Sequence, residues 1–244
     1  MDKSIFYAAG TTEACRVASQ LMKDSGILFA EAPGPEVTDL LLDVPSFKEP
    51  GILRGGGDFQ TLLDKLNNLE RIFGGKLPPA DGKVCHIDLL EDPSYLAQNA
   101  FITADCALRL CGLSLNSTWA DSKVLVIGWG RIGKQLCRML KTLGSKVTVC
   151  ARKAPDRALL SAFGYETVEP DQLNGEGYDV IFNTAPDLHL KEAALSDCPI
   201  PMDLASQNGL NGKDVIYARG LPGIYAPLSS GKCIASAVEQ HIRR

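Results

Sequence analysis

The run Val124-Leu125-Val126-Ile127 leads straight into Gly128-Trp129-Gly130-Arg131-Ile132-Gly133, and that junction constrains the fold more than any other stretch of the chain. Four consecutive valine, leucine and isoleucine side chains read as a strand buried on both faces. The glycines follow it with GxGxxG spacing and open a helical pattern over Arg131–Leu143. The three glycines serve different purposes. Gly128 permits the tight turn, Gly130 lets a pyrophosphate approach the backbone, and Gly133 lets the helix pack close to the strand. The start of the helix adds free N–H donors for an anion. This strand, turn and helix together predict dinucleotide binding, with Trp129, Arg131 and Ile132 standing beside the glycines in the same loop.

The pattern after this junction is regular. Apolar runs at Lys146–Ala151, Tyr165–Val168, Asp179–Asn183, Ile200–Leu204 and Val215–Ala218 follow one another across a helix at Asp156–Phe163 and short loops. Strands of this kind predict a parallel sheet covered on both faces. The first third reads as a compact βαββ arrangement: Ile5–Ala8, a helix over Thr11–Lys23, Ile27–Ala30 and Val37–Val44, punctuated by Pro33-Gly34-Pro35 and Pro45. Gly55-Gly56-Gly57 lacks the GK[ST] of a phosphate loop and reads as a turn, with Asp58 capping a helix through Asp64 to Leu69. Glu91-Asp92-Pro93 opens a long, largely apolar helix that runs to about Leu113, because acidic residues and proline favour a first turn. The expected architecture is therefore α/β: a Rossmann-type parallel-sheet domain with a smaller N-terminal α/β domain. Its expected divisions are an N-terminal domain at 1–90, an interdomain helix and linker at 91–120, the dinucleotide-binding domain at 121–228, and a C-terminal helix at 229–244 packing back toward the first domain.

Composition removes several classes of function. With 29 acidic against 25 basic residues and a net charge of -4, the 244-residue chain lacks the excess of Lys and Arg that nucleic-acid binding needs. No apolar run approaches a membrane span, and the first ten residues are too polar for a signal peptide, so a cytoplasmic protein is expected. Eight scattered cysteines without a CxxC pair read as reduced thiols. His86, His189 and His241 stand too far apart in sequence to suggest a metal site, and none is expected.

On the cofactor side, the second Rossmann strand ends in Ala151-Arg152-Lys153, where an NAD-specific site usually carries Asp or Glu for the ribose hydroxyl. Arg152 and Lys153 suit a 2′-phosphate instead, so NADP is expected ahead of NAD. Asn183-Thr184-Ala185-Pro186 ends one later strand and Asp203-Leu204-Ala205-Ser206 the next. The rule that ligands bind at the carboxyl edge of such sheets turns their polar side chains toward the crevice, with the first group on the cofactor. The stretch Gly220-Leu221-Pro222-Gly223-Ile224-Tyr225-Ala226-Pro227 reads as a rigid turn, suited to a cofactor lid or a plain linker.

Together these segments resemble the family of dipicolinate synthase A subunits. The phrases that carry the resemblance are VLVIGWGRIGKQLCRMLKTLGSKVTVCAR (Val124–Arg152), DVIFNTAP (Asp179–Pro186), MDLAS (Met202–Ser206) and GLPGIYAP (Gly220–Pro227). The earlier EDPSYLAQNAFITADCA (Glu91–Ala107) joins them. The likeness runs from about Glu91 to the end, while the part before it is shorter than the family's and matches poorly. The family's Pro-Thr-Ala-Glu-Gly run is replaced by Ile102-Thr103-Ala104-Asp105-Cys106, and its Thr-Ala-Gly by Ser229-Ser230-Gly231. The resemblance implies NAD(P)-dependent oxidation of dihydrodipicolinate, or its hydrated precursor, to dipicolinate. It also implies a flavoprotein-like partner, the synthase's B subunit, and a homo-oligomer is compatible with it. A ring C–H gives hydride to the nicotinamide and a proton leaves, so the protein has mainly to position two rings.

The substrate's two carboxylates require donors, for which Asn99, Thr103, Ser206 and Arg219 are the candidates, in a cleft beside the sheet's carboxyl edge. Asp105, with Thr103, is the candidate catalytic group and proton acceptor. Two other functions share this plan. A D-2-hydroxyacid dehydrogenase needs a histidine with upstream Glu and Arg, and near the C-terminus only His241 is present. A non-catalytic nucleotide-binding subunit keeps the glycine motif and dispenses with the substrate side.

Overall fold

The computed structural model describes residues 4–186 and 198–243. The chain divides into two compact units, one of Met1–Asn99 with Pro222–Arg244 and one of Ala100–Leu221.

The first unit begins with β1 (Ile5–Ala8), α1 (Glu13–Asp24), β2 (Leu28–Phe29) and β3 (Asp39–Leu41), close to the pattern read from the sequence. Thr12 caps α1, its hydroxyl accepting from the Cys15 N–H. A short antiparallel pair, β4 (Phe47–Glu49) and β5 (Ile52–Leu53), follows. Asp58 then caps α2 (Phe59–Leu63), accepting from the Thr61 N–H at 2.7 Å. The helix stops six residues short of the expected Leu69. Asn67-Asn68 form helix poorly, and the Asn68 side chain donates to the Pro35 carbonyl instead.

Two strands with no clear sequence signal complete this sheet, β6 (Arg71–Gly74) and β7 (Cys85–Asp88). The order is β2-β1-β3-β6-β7 and every pairing is parallel. Val37, Leu40, Leu42, Phe59, Leu66 and Ile72 form one of its core clusters. The long helix α3 (Pro93–Gly112) starts where Pro93 predicts, with Asp92 accepting from the Ser94 and Tyr95 N–H groups, and it runs through the division between the units.

The second unit is built on β8 (Lys123–Ile127), α4 (Arg131–Thr142), β9 (Lys146–Cys150), α5 (Ala154–Ala162), β10 (Glu166–Val168), β11 (Val180–Asn183), β12 (Ile200–Asp203) and β13 (Ile216–Tyr217). The strands pair in parallel in the order β10-β9-β8-β11-β12-β13. This is the doubly wound Rossmann order, which reverses direction between β8 and β11. Helix α4 buries Gly133, Leu136, Cys137 and Leu140, one stripe at helical spacing. It ends where Gly144 takes φ +87°, with Ser145 N–H bonding to Leu140 O and Gly144 N–H to Lys141 O. Leu125, Ile127, Cys150, Ile181 and Leu210 pack together in a core cluster of this unit.

The stretch expected as a turn is α6 (Leu221–Tyr225), a short helix, and α7 (Pro227–Ile242) begins at Pro227, two residues earlier than the pattern suggested. Proline at the first turn of each helix gives up an N–H that would have no partner there. Helix α7 belongs to the first unit and packs along α1. A Cβ at Gly231 would meet the Val17 Cγ1 at 2.5 Å and the Ala14 carbonyl at 2.8 Å, so this glycine permits the close approach of the two helices. All eight cysteines are free. Among the described residues, no helix is long and apolar enough to cross a membrane, and no group of three or more His, Cys, Asp or Glu is placed to hold a metal ion. His189 lies outside the described residues.

Candidate functional site

The reversal of strand order between β8 and β11 leaves two loops side by side at the carboxyl edge, Gly128–Gly133 and Asn183–Pro186. Gly128 has φ +101°, a conformation reserved in practice for glycine. A Cβ there would lie 2.7 Å from Thr184 Oγ1 and 3.2 Å from the Ala185 Cβ. Thr184 in turn fastens the two strand ends. Its N–H and hydroxyl both donate to the Ile127 carbonyl at 2.8 Å. At Gly133 a Cβ would collide with the Gly128 carbonyl, so helix and strand come together only because that position is bare. Gly130 differs from both: its backbone is extended, and a Cβ would meet nothing within 4 Å. It caps α4 with no side-chain hydrogen bond, so the N–H groups of the first turn receive no bond from the cap residue. An uncapped helix start behind an open glycine fits a dinucleotide pyrophosphate.

Trp129 lines the same loop, its ring 6.3 Å from that of Tyr165 and 5.6 Å from the Lys134 ammonium. Arg131 is exposed and Ile132 half-buried, while Ala185 and Pro186 remain partly open beside the loop. At the end of β9, Arg152 and Lys153 are exposed, and among the described residues their side chains have no carboxylate or hydrogen-bond partner. Sequence reading missed the residue beneath them, Arg157. Its Nη1 donates to the Ala151 and Arg152 carbonyls, each at 2.9 Å, and its Nη2 pairs with Glu169. Burial pushes the neighbouring Cys150 thiol up to about 11, against the opposing effect of the Arg157 charge, so it stays a neutral thiol.

Several expected site residues are committed elsewhere. The side chains of Asn183 and Asp203 were expected to face the crevice, yet both are 0% exposed and face each other, Asn183 Nδ2 donating to Asp203 Oδ2 at 3.2 Å. They occupy paired positions on β11 and β12, so each supplies the other's partner. Asn183 Oδ1 also accepts the Ala185 N–H, which makes it a brace for the loop that follows β11. Asp203 is the larger hub. It accepts the Gly209 and Leu210 N–H groups at 2.7 and 2.8 Å, and the Ala205 N–H at 3.0 Å. Arg219, expected to bind substrate, spends its guanidinium on Asp203 O, Asp203 Oδ1 and Asn208 Oδ1. A buried carboxylate requires such a partner, and the nearest cation is consumed in supplying it.

Of the remaining candidates, Ser206 is exposed just past β12, and Thr103 lies buried on α3. Asp105, the expected proton acceptor, is paired with Arg109 one turn on at 2.5 Å. Asn99 is half-buried and ends the first stretch of the first unit, whereas Thr103, Asp105, Ser206 and Arg219 belong to the second.

Residues 113–196 match the family described as D-isomer specific 2-hydroxyacid dehydrogenase, NAD binding domain. This span holds the glycine loop and the Arg152–Lys153 end of β9, so the chain carries a dehydrogenase-type NAD-binding domain. Over 237 aligned residues the chain is 26% identical to the A subunit of dipicolinate synthase from Bacillus subtilis (strain 168), covering 86% of this chain and 79% of that protein. The chain is similar to the dipicolinate synthase A subunit. The likeness reaches further toward the N-terminus than the phrases from Glu91 onward suggested. The crystal structure of the dipicolinate synthase A subunit from Bacillus halodurans superposes with a TM-score of 0.82 at 21% identity, over 99% of this chain and 98% of that one. A D-isomer specific 2-hydroxyacid dehydrogenase from Lactobacillus delbrueckii ssp. bulgaricus, in its NAD-complexed form, superposes with a TM-score of 0.55 at 12% identity, over 98% of this chain and 97% of that one. At these identities the two superpositions are statements about fold.

Proposed function

We propose that the protein is a cytoplasmic, NADP-dependent oxidoreductase that converts dihydrodipicolinate, or its hydrated precursor, to dipicolinate, working as an A-type subunit with a flavoprotein-like B-type partner. The observation that carries the cofactor reading is the uncapped start of α4 behind Gly130, in a sheet whose neighbouring strand β9 ends in two cations, Arg152 and Lys153, that are unpaired among the described residues. The likeness to the dipicolinate synthase A subunit supports the choice of substrate.

When bound, the nicotinamide supplies the hydride acceptor. The chain's own part is to hold and orient. The first-turn N–H groups of α4 take the pyrophosphate, and Arg152 with Lys153 takes the 2′-phosphate through charge-assisted bonds. Trp129, Arg131, Ile132, Thr184, Ala185 and Pro186 shape the loops around the cofactor, and Asn183 and Arg219 act indirectly by fixing Asp203 and the loops that follow it. Asn99, Thr103 and Ser206 supply donors to the substrate carboxylates, which an acidic chain must attract locally. Asp105 accepts the ring proton at a carboxylate oxygen, for which it must exchange its bond to Arg109.

Thr103→Val and Ser206→Ala test the substrate side. Each is expected to lower kcat/KM for dihydrodipicolinate by about 1–2 kcal/mol, one hydrogen bond's worth, with NADPH affinity intact. Unchanged kinetics in both variants would remove these residues from the site.

One observation favours a second reading, a non-catalytic nucleotide-binding subunit: Asp105 is already paired with Arg109. Turnover separates the two readings, because both bind dinucleotide and only the enzyme reduces it. The 2-hydroxyacid dehydrogenase reading needs a histidine near the C-terminus with upstream Glu and Arg; only His241 stands there, and its Nε2 is bonded to Asp92.

A further inference from the structure

The turn after β9 is held by an arginine that the glycine motif does not require. Arg157 lies in the opening turns of α5, with its side chain only 17% exposed. One guanidinium nitrogen donates to two successive carbonyls, Ala151 O and Arg152 O, and the other end of the planar group meets Glu169, just past β10. The guanidinium thus joins the ends of two adjacent strands to the helix between them. Only arginine carries donors in a fixed fork that serves two carbonyls and a carboxylate at once.

Two consequences follow from this geometry. In a trans peptide the N–H points opposite to the C=O, so turning the Ala151 and Arg152 carbonyls onto Arg157 turns the Arg152 and Lys153 N–H groups away from it. Among the described residues, neither N–H donates to another backbone group, and neither side chain is paired. The turn therefore presents unspent donors of three kinds: backbone amides, a guanidinium and an ammonium. Secondly, Glu169 balances the charge of Arg157, so Arg157 itself offers little to an anion and Arg152 remains the cation that can act.

We propose that Arg157 is a positioning residue for cofactor discrimination: it fixes the β9–α5 turn so that Arg152 and Lys153 meet the 2′-phosphate of NADP. This rests on the reading of Arg152 given under the proposed function. Lysine at position 157 keeps the charge but cannot serve both carbonyls and Glu169 in one plane, so it restores the effect only partly.

The test is a double-mutant cycle of Arg157→Ala and Arg152→Ala on the full chain, with NADPH and NADH affinities measured by fluorescence titration. Expected is a loss of roughly tenfold in NADPH affinity for Arg157→Ala, with NADH changed by less than about twofold and little further loss when Arg152 is already alanine. Arg157→Lys and Glu169→Gln are expected to fall between wild type and Arg157→Ala, and they carry the test if the alanine variant fails to fold. Equal losses for NADPH and NADH, or a full Arg157→Ala loss added to that of Arg152→Ala, would show that Arg157 serves only the fold and overturn the proposal. A wild-type NADPH-to-NADH ratio in Arg152→Ala would instead overturn the reading of Arg152, and with it any positioning through that residue.

Discussion

Replacing Gly130 by valine separates what the glycine loop does for folding from what it does for binding. Gly130 has φ -84° and ψ -167°, extended backbone open to any residue, and its Cβ would meet nothing within 4 Å. The cost to the fold is therefore limited to exchanging a tolerable helix cap for a poor one, about 1 kcal/mol or less. The cost to binding is larger. In the proposed binding mode, the branched side chain stands where a pyrophosphate would approach the first-turn N–H groups of α4. Losing two hydrogen bonds to a charged group at about 1.5–3 kcal/mol each gives at least about 3 kcal/mol. At about 1.4 kcal/mol per decade, that is a hundredfold or greater loss of affinity. Gly133→Ala makes the contrast, because its Cβ would collide with the Gly128 backbone carbonyl, which cannot swing aside as a side chain does. It should lower both the melting temperature and cofactor binding. Calorimetric titration of folded Gly130→Val with NADPH gives the answer, and wild-type affinity would refute the reasoning.

Asp203→Ala should destabilise the second unit by about 3 kcal/mol, the low end for breaking a buried pair because Arg219 is partly exposed and can turn to water; an unchanged urea midpoint would contradict the hub role. At Asp92, burial acts to raise the carboxyl, but the Tyr95 and Ser94 N–H groups and His241 outweigh it and hold the group below the usual aspartate value. A carboxyl lowered in the folded state contributes stability above its unfolded value of about 3.9 and loses it as the pH falls through the folded value. Between about pH 5 and the acid transition, wild type should therefore lose more stability than Asp92→Asn. Parallel pH profiles for the two proteins would show that Asp92 adds nothing to the acid response.

What was legible in the sequence was local. The strand Lys123–Ile127, the glycine turn and the start of α4 each declare themselves within a few residues, as do the cap Asp58 and the acidic, proline-led opening of the 20-residue helix after Asp92. What escaped depends on neighbours far along the chain. Arg71–Gly74 and Cys85–Asp88 carry charged and polar residues, and their strand character rests on parallel pairing, the first with β3 and the second with the first. The direction of the Asn183 side chain is decided by Asp203, its register partner twenty residues away, and not by its place at a strand end. Arg219 is likewise drawn onto Asp203 and Asn208 by contacts that lie off any spacing rule. The role of Arg157 is set by two carbonyls and a glutamate that no spacing rule connects.

Turnover tests the proposed activity most directly. Wild-type protein, supplied with freshly generated dihydrodipicolinate and NADP, is assayed for growth of the reduced-nicotinamide absorbance, alone and with a B-type subunit. Reduction of NADP that depends on dihydrodipicolinate and proceeds faster than with NAD is the expected result. Tight NADPH binding with no reduction of either cofactor, even with the partner present, would contradict the catalytic reading and leave a nucleotide-binding subunit in its place.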